Sequence, residues 1–374
     1  MNTVGESLRF MAVGDLFMGE HPPTAGHGVD TMVARYGPDF PFEHVVHVLN
    51  RAEVVTGNLE GIISGLGRIR KDFMSNCFRG RPEVAGALAR SGFRALSLAN
   101  NHSMQHGIEA LRDTVSILDT VGIGSTGINE EDPRRAEPVL IRVNGVKVAV
   151  LGYCSISQQY YLDNRIVCIG EYENIVGDVK LIREEVDFVV LHLHWGDEFV
   201  DRPSPEQIDL GRRLIDAGVD LIIGHHSHVL QGIERYGDGL IVYSLGSFVK
   251  DLWKRNMRES VIFECTLSRE HGISNLRYTP ICINSFHQPE VLSGEPADLI
   301  RKRLTDLSHQ LENEDLSDFE RKLEDYQRKV AKRLAKDRRD TYLYYLRNVG
   351  RYDPVMLMKN LATVVRRRVT KRPI

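Results

Sequence analysis

The sequence predicts a mixed α/β sandwich followed by a charged helical extension. Short apolar runs of strand length alternate with amphipathic segments over residues 8–231, and hairpin patterns follow over residues 233–283. Strands and helices that alternate and then give way to hairpins are typical of layered α/β folds. Past Glu295 a densely charged helical pattern replaces both. We therefore divide the chain into a domain at residues 1–290 and a helical extension at residues 291–374.

The composition is that of a globular protein with room for one large domain and an appendage. The chain has 374 residues, 42% hydrophobic and 26% charged, with a formal net charge of −3. So small a net charge gives no reason to expect nucleic acid as a partner. The five cysteines are scattered without a CxxC pair, which favours reduced thiols. With no visible secretion signal and no apolar run of roughly eighteen residues, we expect a cytoplasmic protein.

The first two predicted strands end in polar residues. A strand at residues 8–13 leads to Asp15, and a strand at residues 53–56 leads to Asn58 and Glu60. Strand ends bind ligands in open α/β sheets, so these three side chains are expected at one edge. The other elements predicted for this half are a loop at residues 18–41, helices at residues 42–50, 82–91 and 107–121, and a strand at residues 94–98.

The strand at residues 94–98 leads into Asn100, Asn101 and His102. Two amides and a histidine at a strand-to-helix turn indicate chemistry rather than packing, because an amide oxygen can ligate a metal and a histidine can donate a proton. The preceding glycine-rich segment is basic. Its charged residues are Arg68, Arg70, Lys71, Arg79 and Arg81. They suit either a loop that meets an anionic substrate or a solvated surface loop.

The stretch at residues 188–231 reads as strand, loop, helix and strand, and polar residues follow both strands. They are His192, His194, Asp197 and Glu198 after the first strand, and His226 and His228 after the second. Each histidine pair is spaced by two, so its members point to one side. Neutral imidazole suits Zn, Fe, Mn and Ni. One histidine alone would be read as a polar packing residue, but two strand-end pairs in adjacent units predict a metal site.

Hairpins and helices complete the prediction. They are a hairpin at residues 139–153 that turns at Asn144-Gly145, an irregular tyrosine-rich segment at residues 155–177, a hairpin at residues 233–248, strands at residues 260–267 and 273–283, and helices at residues 297–335, 341–347 and 354–365. The chain ends in a basic run at residues 366–372. This run suits contact with an anionic membrane surface or a partner protein, or a solvated terminus.

Six motifs, taken in order, resemble those of a known family. They are GDLFMG at 14–19, GNLEG at 57–61, ANNHSMQHG at 99–107, HWGDEF at 194–199, GHHSHVLQGIE at 224–234 and YSLGSF at 243–248. Their order resembles the CapA family of poly-gamma-glutamate capsule-synthesis proteins, which look like a branch of the calcineurin-like metallophosphoesterases. The resemblance covers roughly residues 8–290.

The resemblance implies a calcineurin-like four-layer α/β/β/α sandwich with two divalent transition-metal ions at one edge. The positions that match metal ligands are Asp15, Glu60, Asn101, His194, His226 and His228. His102 matches the residue that protonates the leaving group, and Asn58, Glu198 and Gln231 are expected to orient the ligands. Two cations about 3.5–4 Å apart can hold a hydroxide and clamp a phosphoryl group. Mn, Fe, Zn and Ni all suit such a donor set.

The chain departs from the wider phosphoesterase pattern at several positions. Phe17 stands where that pattern has a histidine, and Asn58 stands where it has a bridging aspartate, for which Glu60 could supply the charge. Gln105 and Ser247 differ from the family's usual Asp and Asn. These differences bear on how the ligands are oriented.

The resemblance implies a metal-dependent hydrolase, a phosphoesterase that acts on a phosphorylated or polymeric anionic substrate in capsule or exopolysaccharide synthesis. Two alternatives remain open. The chain could be a non-catalytic subunit of a capsule polymer synthase or exporter, or it could cleave an amide bond of a polyglutamate-type polymer. The residues do not choose among them, because the same donor set serves each reaction.

Overall fold

The computed structural model describes residues 6–66, 77–156, 166–252, 254, 257–312, 314–352, 354–355 and 358. The strands and helices are, in order, β1 (Ser7–Leu16), α1 (Val29–Tyr36), α2 (Val46–Leu49), β2 (Val54–Leu59), β3 (Ile62–Ile63), β4 (Arg79–Gly80), α3 (Val84–Arg90), β5 (Phe93–Ser97), α4 (Ile108–Thr120), β6 (Gly124–Thr126), β7 (Val139–Val143), β8 (Val146–Cys154), α5 (Tyr172–Ile182), β9 (Phe188–His194), α6 (Pro205–Asp216), β10 (Leu221–His225), β11 (Ile233–Tyr236), β12 (Gly239–Val242), β13 (Ser247–Val249), β14 (Glu259–Ser268), β15 (Gly272–Ile283), β16 (Pro289–Val291), α7 (Gly294–His309) and α8 (Phe319–Arg347).

Two sheets form the centre of the fold. The first has the order β16-β15-β14-β1-β2-β5-β6, with β13 also paired to β1, and the second has the order β11-β12-β10-β9-β8-β7. Neighbouring strands from β1 to β6 in the first sheet and from β8 to β12 in the second are parallel. Parallel strands end at the same edge of their sheet, so the polar residues that follow them are brought together.

Three apolar layers hold the sheets and helices together. Side chains such as Phe10 of β1 and Val190 of β9 fill the space between the two sheets. Helices α1, α3 and α4 cover the outer face of the first sheet, and α5 and α6 cover that of the second. Strand β9 is buried along its whole length, because helices and a second sheet cover its two faces. The predicted four-layer α/β/β/α sandwich is confirmed.

The start of helix α6, beside the site, is fixed by its sequence. The Ser204 side chain accepts a hydrogen bond from the backbone N–H of Gln207, and the Gln207 side chain bonds back to the Ser204 backbone. This capping box, with Pro205 in the first turn, satisfies N–H groups that the helix leaves unpaired. The loop between β9 and α6 is thereby fixed at its far end.

Several predicted boundaries were wrong. The segment predicted as a loop at residues 18–41 contains α1, whose Val29 and Val33 lie one turn apart on a buried face. The helix predicted at residues 42–50 shortens to α2, and α5 begins inside the segment predicted as irregular. The helical pattern at residues 297–335 is two helices, separated near Asp315, whose side chain accepts a hydrogen bond from the backbone N–H of Ser317 as in a turn. The helix predicted at residues 341–347 is the end of α8.

The helical extension packs on the sandwich. Ile300 and Leu304 of α7 join the apolar layer between the sheets. Helix α8 runs along the edge where the parallel strands end. Its contacts include those of Tyr326 and Val330 with Val200 after β9, of Asp337 with Lys254 after β13, and of Tyr344 with His27 after β1. The division of the chain at residue 290 stays a prediction.

None of the helices in the described ranges combines the length and the apolar character that crossing a bilayer requires. The predicted helix at residues 354–365 and the basic run at residues 366–372 lie mostly or wholly outside the described residues. The same holds for Arg68, Arg70 and Lys71 of the basic segment.

We predict that Gly14→Ala destabilises the protein by about 1–3 kcal/mol, as overpacking typically does. A Cβ at Gly14 would lie 2.0 Å from the carbonyl oxygen of Gly246, which accepts a hydrogen bond from the Asp15 N–H. Urea unfolding measures the effect. Gly177→Ala is the control, because a Cβ at this position of α5 meets nothing within 4 Å and should stabilise the helix. A neutral Gly14→Ala variant would contradict this close approach.

Candidate metal centre

The predicted ligands meet at the edge where strands of both sheets end. They lie at the ends of β1, β2, β5, β9 and β10 or shortly after them: Asp15, Glu60, Asn101, His194, His226 and His228. Each of them is at most 6% exposed. Buried polar groups left without partners cost about 1–3 kcal/mol each. The contacts of every member of this cluster therefore decide what it can bind.

Asp15 lies at the centre of the cluster. Its Oδ1 accepts a hydrogen bond from Asn58 Nδ2 at 2.8 Å and lies 3.2 Å from His225 Nδ1. Its Oδ2 lies 3.0 Å from His228 Nδ1 and accepts from the backbone N–H of His226 at 3.2 Å. Burial raises the pKa of Asp15, but the contacts with His225 and His228 outweigh burial and hold the pKa well below its usual range. Asp15 is therefore a carboxylate at neutral pH.

Glu60 pairs with a buried lysine that the sequence interpretation missed. Lys250 Nζ lies 2.5 Å from Glu60 Oε2 and 2.9 Å from His228 Nε2. Glu60 Oε1 lies 3.6 Å from His102 Nε2 and has no hydrogen-bond partner among the described residues. Burial raises the pKa of Glu60, but the charges of Lys250 and His228 outweigh it and lower the pKa. A second buried carboxylate thus stands beside Asp15.

His194 is held between two amides. Its Nε2 lies 3.0 Å from Asn101 Oδ1, and its Nδ1 lies 3.3 Å from Asn58 Nδ2. An amide oxygen accepts and an amide nitrogen donates, so the proton of neutral His194 lies on Nε2. Burial lowers the pKa of His194 to about 4. Asn58 contacts both His194 and Asp15, which is the arrangement that an orienting residue needs.

His226 and His228 have strained backbones, with φ of 87° and 56°. Positive φ at residues other than glycine costs free energy and is kept where surrounding structure requires it, often at functional sites. These two histidines and Glu198 offer ligand atoms within 4.8 Å of one another. Burial lowers the pKa of His226 well below its usual range, so its ring is neutral, the form that ligates metals.

His102, the predicted proton donor, stacks on Phe78 with ring centroids 4.2 Å apart. Its Nδ1 lies 2.8 Å from Gln105 Oε1, an acceptor, so the proton of the neutral ring lies on Nδ1. Burial lowers the pKa of His102 to about 3. Nε2, which faces Glu60, is therefore unprotonated in this state. His102 can donate a proton from Nε2 only when an anionic ligand raises its pKa.

Three predicted residues lie around the centre rather than in it. His192 Nε2 lies 3.0 Å from Thr56 Oγ1, and His192 Nδ1 lies 2.9 Å from His225 Nε2. His192 therefore links β2, β9 and β10 beneath the site. Gln231 donates a hydrogen bond to a backbone carbonyl of the loop after β9. Asp197 turns towards α8, where burial raises its pKa.

The residues of this edge fit a divalent transition-metal ion. In the described part of the chain, two groups of three donors have ligand atoms within 4.8 Å: Glu198, His226 and His228, and Asp15, Glu60 and His228. His226 Nδ1 and Glu60 Oε1 are buried without a hydrogen-bond partner, as atoms reserved for an ion would be. Imidazole with carboxylate is the donor set of Mn, Fe and Zn sites. The identity and number of ions stay predictions.

Sequence reasoning missed Lys250 and His225. Lys250 directly follows β13, which runs parallel to β1 with Ser247 opposite Asp15. The strand-end rule that selects Asp15 therefore also selects Lys250. His225 is the last residue of β10 and reaches Asp15, so the same rule selects it.

Comparison with known proteins assigns the chain to a family. Residues 9–252 match the family described as "Bacterial capsule synthesis protein PGA_cap". The chain belongs to this capsule synthesis family. It is 30% identical over 313 residues to the capsule biosynthesis protein CapA of Bacillus anthracis, covering 80% of this chain and 73% of that protein. It is 30% identical over 280 residues to the PGA biosynthesis protein CapA of Bacillus subtilis, covering 73% and 70%.

A more distant relative in Mycobacterium tuberculosis is named "Probable polyglutamine synthesis accessory protein". It is 26% identical over 228 residues, which cover 57% of this chain and 60% of that protein. Among solved structures, the 5'-nucleotidase precursor of Thermus thermophilus matches with a TM-score of 0.43 and 15% identity, covering 82% of this chain and 59% of that one. The Haemophilus influenzae NAD nucleotidase matches with a TM-score of 0.44 and 13% identity, covering 80% and 62%.

We predict that the metal-free protein loses stability as the pH falls from 7 to 5. Burial lowers the folded-state pKa of His102 to about 3 and of His194 to about 4, whereas both return to about 6.5 in the unfolded chain. The unfolded chain therefore binds more protons than the folded chain in this window. The free energy of unfolding consequently decreases as the pH decreases. Urea unfolding in the presence of a chelator at pH 7, 6 and 5 measures the slope.

Two variants control this measurement. His194→Asn should reduce the slope, because it removes one buried neutral imidazole. His309→Asn should leave the slope unchanged, because that side chain is 64% exposed on α7. Equal free energies of unfolding at pH 7 and pH 5 in the wild type would contradict neutral, buried histidines at this edge.

Proposed function

We propose that this chain is a metal-dependent hydrolase, a phosphoesterase that acts in the synthesis of a poly-gamma-glutamate-type capsule or exopolysaccharide. The observation that carries the proposal is the buried donor cluster. Two carboxylates and three imidazoles meet at one strand-end edge, and two of their ligand atoms lack hydrogen-bond partners within the described ranges. The names of the Bacillus relatives supply the capsule context. A cytoplasmic location stays a prediction.

A divalent ion bound here supplies Lewis acidity, which polarises a phosphoryl oxygen and lowers the pKa of water. The residues of the chain do the rest. Asp15 and Glu60 provide negative charge to hold the ion, and the imidazoles of His226 and His228 offer ligand nitrogens to it. Asn58 keeps Asp15 and His194 in place through its two hydrogen-bond contacts.

His102 is placed to protonate a leaving group. Its Nδ1–H is fixed by Gln105, so Nε2 is the atom that can take and release a proton. An anionic phosphate ester near this nitrogen raises the pKa of His102 from its buried value of about 3 and charges the ring. The departing oxygen then takes the proton from Nε2. The protonation of His102 at Nε2 is thus coupled to the binding of the substrate.

A second candidate function is a non-catalytic subunit of a polymer synthase or exporter. The observation that favours it is the word "accessory" in the name of the mycobacterial relative. Under this reading the basic run at residues 366–372 would contact the membrane or the capsule enzyme. Co-purification with a membrane enzyme that is lost when the chain is cut after Val365 would support it.

We predict that His226→Ala removes most of the bound metal and lowers ester hydrolysis by at least about 100-fold, since losses around a metal site reach that size even without removing a ligand. Elemental mass spectrometry on protein purified without chelator measures the metal, and nitrophenyl phosphate mono- and diesters measure the rate. His271→Ala is the matched control, because that histidine is 68% exposed in the turn after β14.

Full metal content and full activity in His226→Ala would contradict the proposal. Cleavage of poly-gamma-glutamate into glutamate oligomers, without ester cleavage, would replace the phosphoesterase with an amide hydrolase at the same site. Metal binding with neither reaction would favour the accessory subunit.

A further inference from the structure

The side chain of Lys250 lies inside the candidate metal centre. Its Nζ is 2.5 Å from Glu60 Oε2 and lies 2.9 Å from Nε2 and 3.3 Å from Nδ1 of His228. The lysine is 1% exposed, although lysines are almost never fully buried unless they are paired. The ammonium of Lys250 is therefore a buried, paired component of the site and not a surface charge.

The position of Lys250 coincides with one of the two donor groups. That group consists of Asp15, Glu60 and His228, and the ammonium contacts two of its three members at hydrogen-bonding distance. In the other group, Glu198, His226 and His228, the residue that Lys250 contacts is the shared His228. The Glu60 carboxylate of the first donor group thus already has a cation beside it.

We propose that the ammonium of Lys250 takes the place of a second metal ion, so that this chain binds one divalent ion at the group of Glu198, His226 and His228. The inference rests on the proposed metal-dependent function and refines it. It also reassigns Glu60, which becomes the partner of Lys250 rather than a metal ligand.

Charge balance favours one ion over two. The two donor groups contain three carboxylates, from Asp15, Glu60 and Glu198. With one divalent ion the positive charge is three, counting Lys250, and it balances these carboxylates. With two divalent ions and Lys250 it would be five, two more than the carboxylates, and uncompensated charge is costly in a buried site.

The surroundings of Lys250 support the same conclusion. Its Nζ lies 5.4 Å from the centre of the Phe17 ring, which is fully buried. An aromatic face attracts an ammonium but offers no ligand atom to a transition metal. Phe17 in turn packs against Phe78, with ring centroids 5.3 Å apart. The Phe17 side of the site therefore suits the ammonium of Lys250 better than it suits a metal ion.

A fixed ammonium beside a single ion would serve a hydrolase. It donates hydrogen bonds to an anionic oxygen and stabilises the negative charge that develops there during the reaction. Unlike a metal ion, the ammonium does not have to bind from solution. Lys250 is a binding group for the substrate anion in this arrangement, and Glu60 keeps it in position.

The experiment counts metal ions per chain in the wild type, Lys250→Ala, Lys250→Arg and Glu60→Gln, by elemental mass spectrometry after saturation with Mn²⁺ and desalting. Electron paramagnetic resonance shows whether two Mn²⁺ ions are coupled. We expect one uncoupled ion in the wild type, Lys250→Arg and Glu60→Gln. We expect a coupled pair in Lys250→Ala, where the cation is gone and Asp15 and Glu60 are open. Lys254→Ala is the control, because that lysine pairs with Asp337 outside the donor groups and should leave one ion.

Each other outcome is decisive. Two ions in the wild type would overturn the inference and leave the proposed function standing. One ion in Lys250→Ala would mean that the lysine does not exclude the second ion, and loss of the ion in Glu60→Gln would restore Glu60 as a ligand. No metal in any variant would contradict the proposed function itself. The wild-type count and the Lys250→Arg count do not depend on whether Lys250→Ala folds.

Discussion

Two fully buried carboxylates, Asp15 and Glu60, are the constraint on which the rest of the site depends. A buried charge is tolerated only where it is paired and hydrogen-bonded. Here the compensation comes from side chains at the ends of other strands, so the register of both sheets has to be kept. A chain of contacts from Thr56 through His192 and His225 to Asp15 joins the two sheets. The strand register therefore positions the polar partners of the site, and their contacts in turn connect the two sheets.

The sequence predicted the parts of this site that follow from strand-end geometry. Asp15, His194 and His226 come directly at or after apolar runs, and parallel strands bring such positions to one edge. The prediction failed where the decisive property was a contact between distant residues. A lysine near a strand end usually reaches solvent, and only the fold shows that Lys250 points at Glu60. The proton position on His102 likewise depends on Gln105 and could not be read from spacing.

The helices that the sequence missed or misplaced differ in cause. Helix α1 is short and lies among glycines and prolines, so its two buried valines did not stand out as a period. Helix α8 is long and mostly polar, and Tyr326 and Val330 are its buried residues among those described. It contacts the loops that follow β1, β9 and β13, the strands that position the site. The helical extension thus forms part of the surroundings of the metal centre, which a division by composition alone does not reveal.

The central claim is that this strand-end edge holds a metal ion, and anomalous diffraction tests it most directly. Crystals grown with Mn²⁺ should give an anomalous difference peak among Glu198, His226 and His228, with Lys250 in contact with Glu60 beside it. A map with no peak at this edge would contradict a metal centre here, provided that the same Mn²⁺ concentration saturates a control metalloprotein in its own crystals. The buried carboxylates and histidines would then be a structural network that joins the two sheets.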